Sequence, residues 1–198
     1  MGGTEQSGAF AVSDENPADR AREFWSRQFK LASTPFAWWL SARRLMRAAG
    51  LLWVAFDADL QKWSAQPASA RELENLEVGV SCMMLTGFAL ENAVKGVLLK
   101  RRPELAKKGR SPRWPGGGHD LPRLFEEAGV LISEGERDVV QRLAEFVTWR
   151  GRYPMPQRME EMTLVHRPDG STPMSDYRIA GELFTRLCGL LNIRETAK

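Results

Sequence analysis

The stretch that decides the fold is Leu73–Lys100, LENLEVGVSCMMLTGFALENAVKGVLLK, which predicts one long helix. Apolar or small residues recur along it at spacings of three and four, as on the inward face of an α-helix. They are Leu73, Leu76, Val80, Met83, Gly87, Leu90, Val94 and Val97. Glu91, Asn92 and Lys95 lie beside that face. We therefore expect these polar groups where the helix borders a groove.

Two helices are predicted before this stretch. The first opens at Pro17, runs to about Ser33 and is peripheral. The second has Thr34 as N-cap and Pro35 in its first turn, and it continues to about Ser64 with many tryptophans. Only the short linker QPASA separates it from the central helix. So short a connection predicts that the two long helices pack antiparallel.

Three further helices are predicted after the central one. Prolines and a run of glycines exclude helix up to residue 119, and a short helix follows at Asp120–Ala128. The pattern S-x-x-E at Ser133–Glu136 is a capping box and opens a helix that reaches Trp149. A last helix begins at Ser175 or Asp176.

Apart from the peripheral first helix, these elements form an all-α fold, an antiparallel bundle of four main helices plus a short helix, with two long loops. One loop, Arg150–Ser175, contains turn signals and a possible strand, MTLVH. A chain of 198 residues has the size of one domain. We therefore predict a mobile tail at 1–16, a single domain at 17–194 and a short tail at 195–198.

Composition excludes several classes of protein. The two cysteines lack metal-site or disulfide spacing, and no cofactor-binding motif is present, so we expect no metal and no cofactor. The start MGGTEQSGAF does not have the pattern of a secretory signal. The most apolar segment, Ala48–Phe56, is far shorter than the roughly twenty residues of a membrane span. These features predict a cytoplasmic protein with no membrane partner.

Positive charge is concentrated in Lys100–Arg113, which has seven basic residues and one acidic residue. Because the whole chain carries a formal charge of +3, the remainder sums to about −3. Such a segment favours an anionic ligand, although a solvated, solubilising loop has equal weight. Its candidate ligand-binding residues are Arg101, Arg102, Lys107 and Lys108.

Glu91 and Lys95 form the first candidate site. Four residues apart on a helix, they are equally compatible with a surface ion pair. In the functional hypothesis, Glu91 faces a groove and holds Arg150 and Arg152 in position for an anion.

Two loop segments supply the other candidates. In WRGRYPMP, Arg150 and Arg152 could clamp a phosphate while Tyr153 stacks on a base, or they could bind helix C-terminal carbonyls. In GHD, His119 could transfer protons near neutral pH, or it could only hydrogen-bond its own turn. His166 has the weaker claim.

Three segments together resemble the HEPN-like helical proteins of bacteria. They are FALENAVKGVLLKR at Phe88–Arg101, GHDLPRLFEEAGV at Gly118–Val130 and LAEFVTWRGRYPMP at Leu143–Pro156. The resemblance implies a helical bundle, often dimeric, in a superfamily of metal-independent ribonucleases and of non-catalytic RNA- or nucleotide-binding members. In the nucleases, an Arg followed after four to six residues by a His forms the active motif across a dimer cleft.

This chain departs from that motif. Met155, Pro156 and Gln157 stand where a histidine should follow Arg150. Arg113 and His119 have the required spacing, but the residues between them, WPGGG, cannot form a helix. We therefore expect RNA or nucleotide binding by a homodimer, with His119, Arg150 and Arg152 as catalytic candidates if RNA is cleaved. The alternative is a protein–protein interaction bundle of antitoxin or scaffolding type, marked by an exposed patch of tryptophans on the second helix.

Overall fold

The computed structural model describes residues 16–67, 77–106, 110, 112–153, 159 and 172–192. These residues form helices and turns, without a strand among them. The helices are α1 Pro17–Ala32, α2 Pro35–Ala65, α3 Glu77–Arg101, α4 Leu121–Glu127, α5 Glu134–Glu145 and α6 Pro173–Leu191. Short 3-10 turns at Pro103–Leu105 and Pro115–Gly118 and a π-helical turn at Phe146–Arg150 accompany them. The predicted all-α bundle is confirmed, while the segment MTLVH lies outside the described residues.

The predicted helix starts follow from local capping. The Thr34 side chain accepts a hydrogen bond from the Ala37 amide, and Pro35 occupies the first turn of α2. At the start of α5, Ser133 and Glu136 accept from each other's backbone amides, which is the predicted capping box. Both boundaries depend on contacts within four residues, so they could be predicted without the tertiary structure.

Two predicted boundaries are wrong by a few residues. Helix α6 begins at Pro173, before the predicted start, because Thr172 and Ser175 form a second capping box. Helix α5 ends at Glu145 rather than Trp149, and the chain continues as the π-helical turn. For α3 the predicted first residues, 73–76, lie outside the described part of the chain.

Helix α3 is the centre of the bundle. It packs along α2 and also contacts α4, α5, α6 and the π-helical turn. Every residue from 89 to 99 except Asn92 is buried. The prediction that only one face of the helix turns inward is therefore wrong for the second half of α3. A helix covered on all sides belongs to a core. Although Val78–Arg101 is long and apolar enough to cross a membrane, 78% of its most apolar window is buried inside the protein.

Close helix packing on α3 depends on Gly87. A β-carbon at this position would lie 2.5 Å from Val147 Cγ2 and 3.2 Å from the Leu143 carbonyl oxygen. Val147 is fully buried and Leu143 O is backbone, so neither atom can move away freely. The absence of a side chain at Gly87 lets α5 and the π-helical turn approach α3.

We predict that Gly87→Ala lowers the free energy of unfolding by about 1–3 kcal/mol, the usual cost of overpacking a core. The matched control is Gly181→Ala in α6, where an added β-carbon meets nothing within 4 Å. That control should gain about 0.5–1 kcal/mol, because alanine favours a helix over glycine. Urea denaturation of both variants measures the difference, and equal stability of the two would contradict the close approach.

Candidate functional site

Glu91 and Lys95 form a buried ion pair on α3. Each residue is only 4% exposed, and Lys95 Nζ lies 2.6 Å from Glu91 Oε1. The interpretation as a surface ion pair is therefore wrong. An isolated charge inside a protein has a very unfavourable free energy. Each of these two buried charges therefore depends on the other as its partner.

Two tryptophan rings complete the surroundings of the Lys95 ammonium. Its Nζ lies 5.4 Å from the centroid of the Trp38 ring and 5.3 Å from that of Trp114. The rings meet edge to face, with centroids 4.9 Å apart. Aromatic faces attract cations, so the rings and Glu91 together stabilise the charged lysine.

His119 contacts the second carboxylate oxygen of Glu91. Its Nδ1 lies 3.0 Å from Glu91 Oε2, and its side chain is 46% exposed. The turn before it places the ring there, since Gly116, Gly117 and Gly118 all have positive φ angles, a conformation that glycine adopts easily. With Nδ1 directed at a carboxylate, Nε2 is the nitrogen left for an outside partner.

Phe88 connects His119 to Arg152. The Phe88 and His119 rings meet edge to face with centroids 6.5 Å apart, and Arg152 Cζ lies 6.0 Å from the Phe88 centroid. Arg152 also lies over the exposed Tyr153 ring, at 5.5 Å, and donates a hydrogen bond to the Thr148 carbonyl. The fold thus gathers the three predicted segments, around residues 91, 119 and 152, in one region.

The predicted contact from Glu91 to the two arginines is wrong. Both Glu91 oxygens are taken, one by Lys95 and one by His119. Arg150 instead donates to the Glu145 carboxylate at 3.0 and 3.2 Å and lies over the Trp149 ring. Arg150 is therefore held by its own helix end, and Arg152 is the arginine on the His119 side.

Basic residues at the start of the charged segment bind helix ends. Lys100 donates to the Leu190 and Leu191 carbonyls at the end of α6. Arg101 donates to the Ala128 carbonyl, and Arg102 to the Glu127 carbonyl and carboxylate. These contacts satisfy carbonyls that helix ends leave unpaired. Lys107, Lys108 and His166 lie outside the described residues.

Other reactive groups are less suited to catalysis. Burial raises the pKa of the Cys82 thiol to about 11, so it stays protonated at neutral pH and is a poor nucleophile. In the described ranges, no three His, Cys, Asp or Glu side chains cluster as metal ligands would. The acid–base group that the described site presents to solvent is His119.

Sequence reasoning missed Trp38, Trp114 and Phe88 as parts of this site. Phe88 lies one turn before Glu91 on α3. A β-carbon added at Gly118, next to His119, would lie 3.2 Å from Trp114 and 3.3 Å from Lys95 Nζ. The glycine run before His119 was the sequence signal that could have indicated this packing, because it predicts a tight turn. A search of family models, curated proteins and solved structures finds no match to this chain.

Proposed function

We propose that this protein is an HEPN-like cytoplasmic RNA-binding protein that cleaves single-stranded RNA without a metal ion. The contact between Glu91 and His119 carries the proposal. A buried carboxylate holds one ring nitrogen, and the half-exposed ring offers the other to a substrate. Carboxylate and imidazole in this arrangement are suited to general base catalysis, because the carboxylate fixes the orientation of the ring and leaves Nε2 for the substrate.

In the proposed reaction, His119 Nε2 removes the proton from a ribose 2′-hydroxyl. The 2′-oxygen attacks the adjacent phosphorus, the bond from phosphorus to the 5′-oxygen breaks, and the leaving oxygen takes a proton from water. The products are a 2′,3′-cyclic phosphate and a 5′-hydroxyl. Arg152, on the same side as His119, stabilises the negative charge on the phosphoryl oxygens of the transition state.

Arg152 and Tyr153 supply the binding part of the proposal. The Tyr153 ring is exposed, and the Arg152 guanidinium lies over it. A base that stacks on the exposed part of the ring would bring its phosphate close to this cation. Stacking on an aromatic side chain contributes about 1–3 kcal/mol per base. Phosphate contacts also release counterions, so affinity should fall steeply as salt rises. A homodimer, in which both copies of the site face one cleft, belongs to the same proposal.

The test compares wild type with His119→Ala and Arg152→Ala on labelled single-stranded RNA. His119→Ala should slow cleavage by about 10²–10⁴-fold, the usual contribution of a general base, and leave binding intact. Arg152→Ala should weaken binding by about tenfold, the loss of one charge-assisted contact, and should also slow cleavage because Arg152 stabilises the transition state. Arg178→Ala is the matched control, since Arg178 is an exposed arginine paired with Glu182 on α6.

A second substrate and a chelator sharpen this test. A 2′-deoxy oligonucleotide should bind and resist cleavage, because it lacks the attacking hydroxyl. EDTA should leave the rate unchanged. Wild-type protein that cannot cleave RNA, or cleavage that EDTA abolishes, would refute the proposed reaction.

The alternative, a non-catalytic protein–protein bundle, was expected to expose Trp38, Trp39 and Trp53. In the structure Trp39 is buried, Trp38 packs on Trp114, and Trp53 stacks on Tyr177 with centroids 4.5 Å apart. Trp39 is thus buried, and these contacts cover Trp38 and Trp53 in part. Since its expected patch is absent from these positions, we favour the RNA proposal over this alternative.

A further inference from the structure

Helix α1 leaves its apolar side chains in solvent. All of its residues, Pro17–Ala32, are exposed, and among the large ones Trp25 is 67% and Leu31 60% exposed. The helix nevertheless has a sharp division into an apolar and a polar face. Its start is fixed locally, because the Asn16 side chain accepts from the Ala18 amide and Pro17 occupies the first turn.

At 3.6 residues per turn, the uncharged face covers an arc of roughly 160°. It consists of Ala18, Ala21, Phe24, Trp25, Gln28, Phe29, Leu31 and Ala32. Arg22 borders this arc on one side, and Arg20 and Arg27 border it on the other. The acidic residues Asp19 and Glu23 lie on the polar face, and Glu23 is already paired with Arg27 at 2.6 Å.

This charge pattern indicates which partner covers the face. A second copy packed on the same arc would place arginines opposite arginines along both borders, since α1 has four basic residues and two acidic ones. A groove in another protein typically takes a narrow stripe of anchors rather than so wide an arc. An anionic bilayer accepts the wide aromatic face among its acyl chains and the bordering arginines at its headgroups.

We propose that α1 is an interfacial helix that docks this protein on anionic phospholipid bilayers. Its apolar arc lies in the boundary between headgroups and acyl chains, with the helix axis parallel to the surface. The expectation of no membrane partner came from the length needed to cross a bilayer. A helix that lies on the surface does not need that length.

Vesicle flotation of the full chain tests this proposal. Wild type should float with vesicles of phosphatidylcholine and phosphatidylglycerol and remain behind with phosphatidylcholine alone. Arg20→Gln with Arg22→Gln should weaken binding about fivefold per arginine. Trp25→Ser with Leu31→Ser should weaken it by at least about tenfold, because both side chains leave the apolar boundary.

The matched control is Leu131→Ser, which removes a 91% exposed leucine between α4 and α5 and should leave vesicle binding unchanged. All the substituted side chains are exposed, so the variants should keep the wild-type circular dichroism spectrum. Equal flotation with both kinds of vesicle, or none with either, would overturn the proposal. Sedimentation as a larger species that Trp25→Ser with Leu31→Ser dissociates, without vesicle binding, would assign the face to a second copy instead.

Discussion

Replacing Glu91 by leucine is expected to lower the free energy of unfolding by about 3–5 kcal/mol, because it leaves the Lys95 ammonium buried without its carboxylate. In the described part of the chain, the aromatic rings that would remain near that charge are those of Trp38 and Trp114. Cation–π attraction offers about 2 kcal/mol when desolvated, less than the cost of burying an unpaired ion. Urea or thermal denaturation measures the loss.

The double variant Glu91→Leu with Lys95→Met separates stability from chemistry. Replacing both members of a buried ion pair by apolar residues is often neutral or stabilising, so stability should return to near the wild-type value. His119 would still lack the carboxylate at its Nδ1, so RNA cleavage should stay as slow as in Glu91→Leu. Cleavage that returns together with stability would show that Glu91 has only a structural role.

An exposed ion pair on α6 serves as the control for the Glu91→Leu prediction. Glu182→Ala breaks the exposed contact with Arg178 on α6 and should cost about 0.5 kcal/mol or less. A Glu91→Leu effect as small as this would mean that the Lys95 ammonium reaches water. That result would contradict the buried pair.

Asp176→Ala is expected to destabilise the protein by a similar amount, about 3–5 kcal/mol. Asp176 is fully buried and joins α6 to α5 by accepting two hydrogen bonds from Arg142, at 2.6 and 3.0 Å. A bidentate contact of this kind is among the strongest in proteins, and the substitution removes both Asp176 oxygens from a buried guanidinium. Thermal denaturation checks the prediction.

The control for this second pair is Arg142→Met with Asp176→Leu, which removes both charges and keeps apolar volume between α5 and α6. It should recover most of the loss. A single Asp176→Ala variant within 1 kcal/mol of wild type would contradict the importance of the pair. Since neither residue belongs to the His119 site, RNA cleavage by the folded double variant should match wild type.

Local chemistry made much of the fold predictable. Proline in the first turn and threonine at the N-cap marked α2, and Ser133 with Glu136 marked α5, because capping groups contact only amides within one helical turn. The start of α6 was predicted too late, since Thr172 with Ser175 is a weaker sequence signal than S-x-x-E. The end of α5 was missed because the π-helical turn continues the same apolar pattern.

The sequence predicted which residues belong to the candidate site but not which of them contact each other. Glu91, His119 and Arg152 do come together, yet the partner of Glu91 is His119 and not an arginine. Sequence spacing could not distinguish these pairings, because the contact between residues 91 and 119 depends on how the glycine turn folds back onto α3. RNA binding and cleavage remain predictions that the proposed assays decide.

The sequence by itself determined the helices and the starts of α2 and α5, because capping and apolar periodicity act over a few residues. The short linker also predicted the antiparallel pairing of α2 and α3, in which Gly79 lies against Phe56 and Gly96 against Pro35. Only the tertiary structure decided that Glu91 and Lys95 are buried. The same four-residue spacing occurs in exposed pairs such as Arg178 and Glu182, and burial depends on what packs over it. Here Trp38 and Trp114, which are distant in sequence, pack against Lys95. A pair that is exposed in other helices is therefore buried in this one.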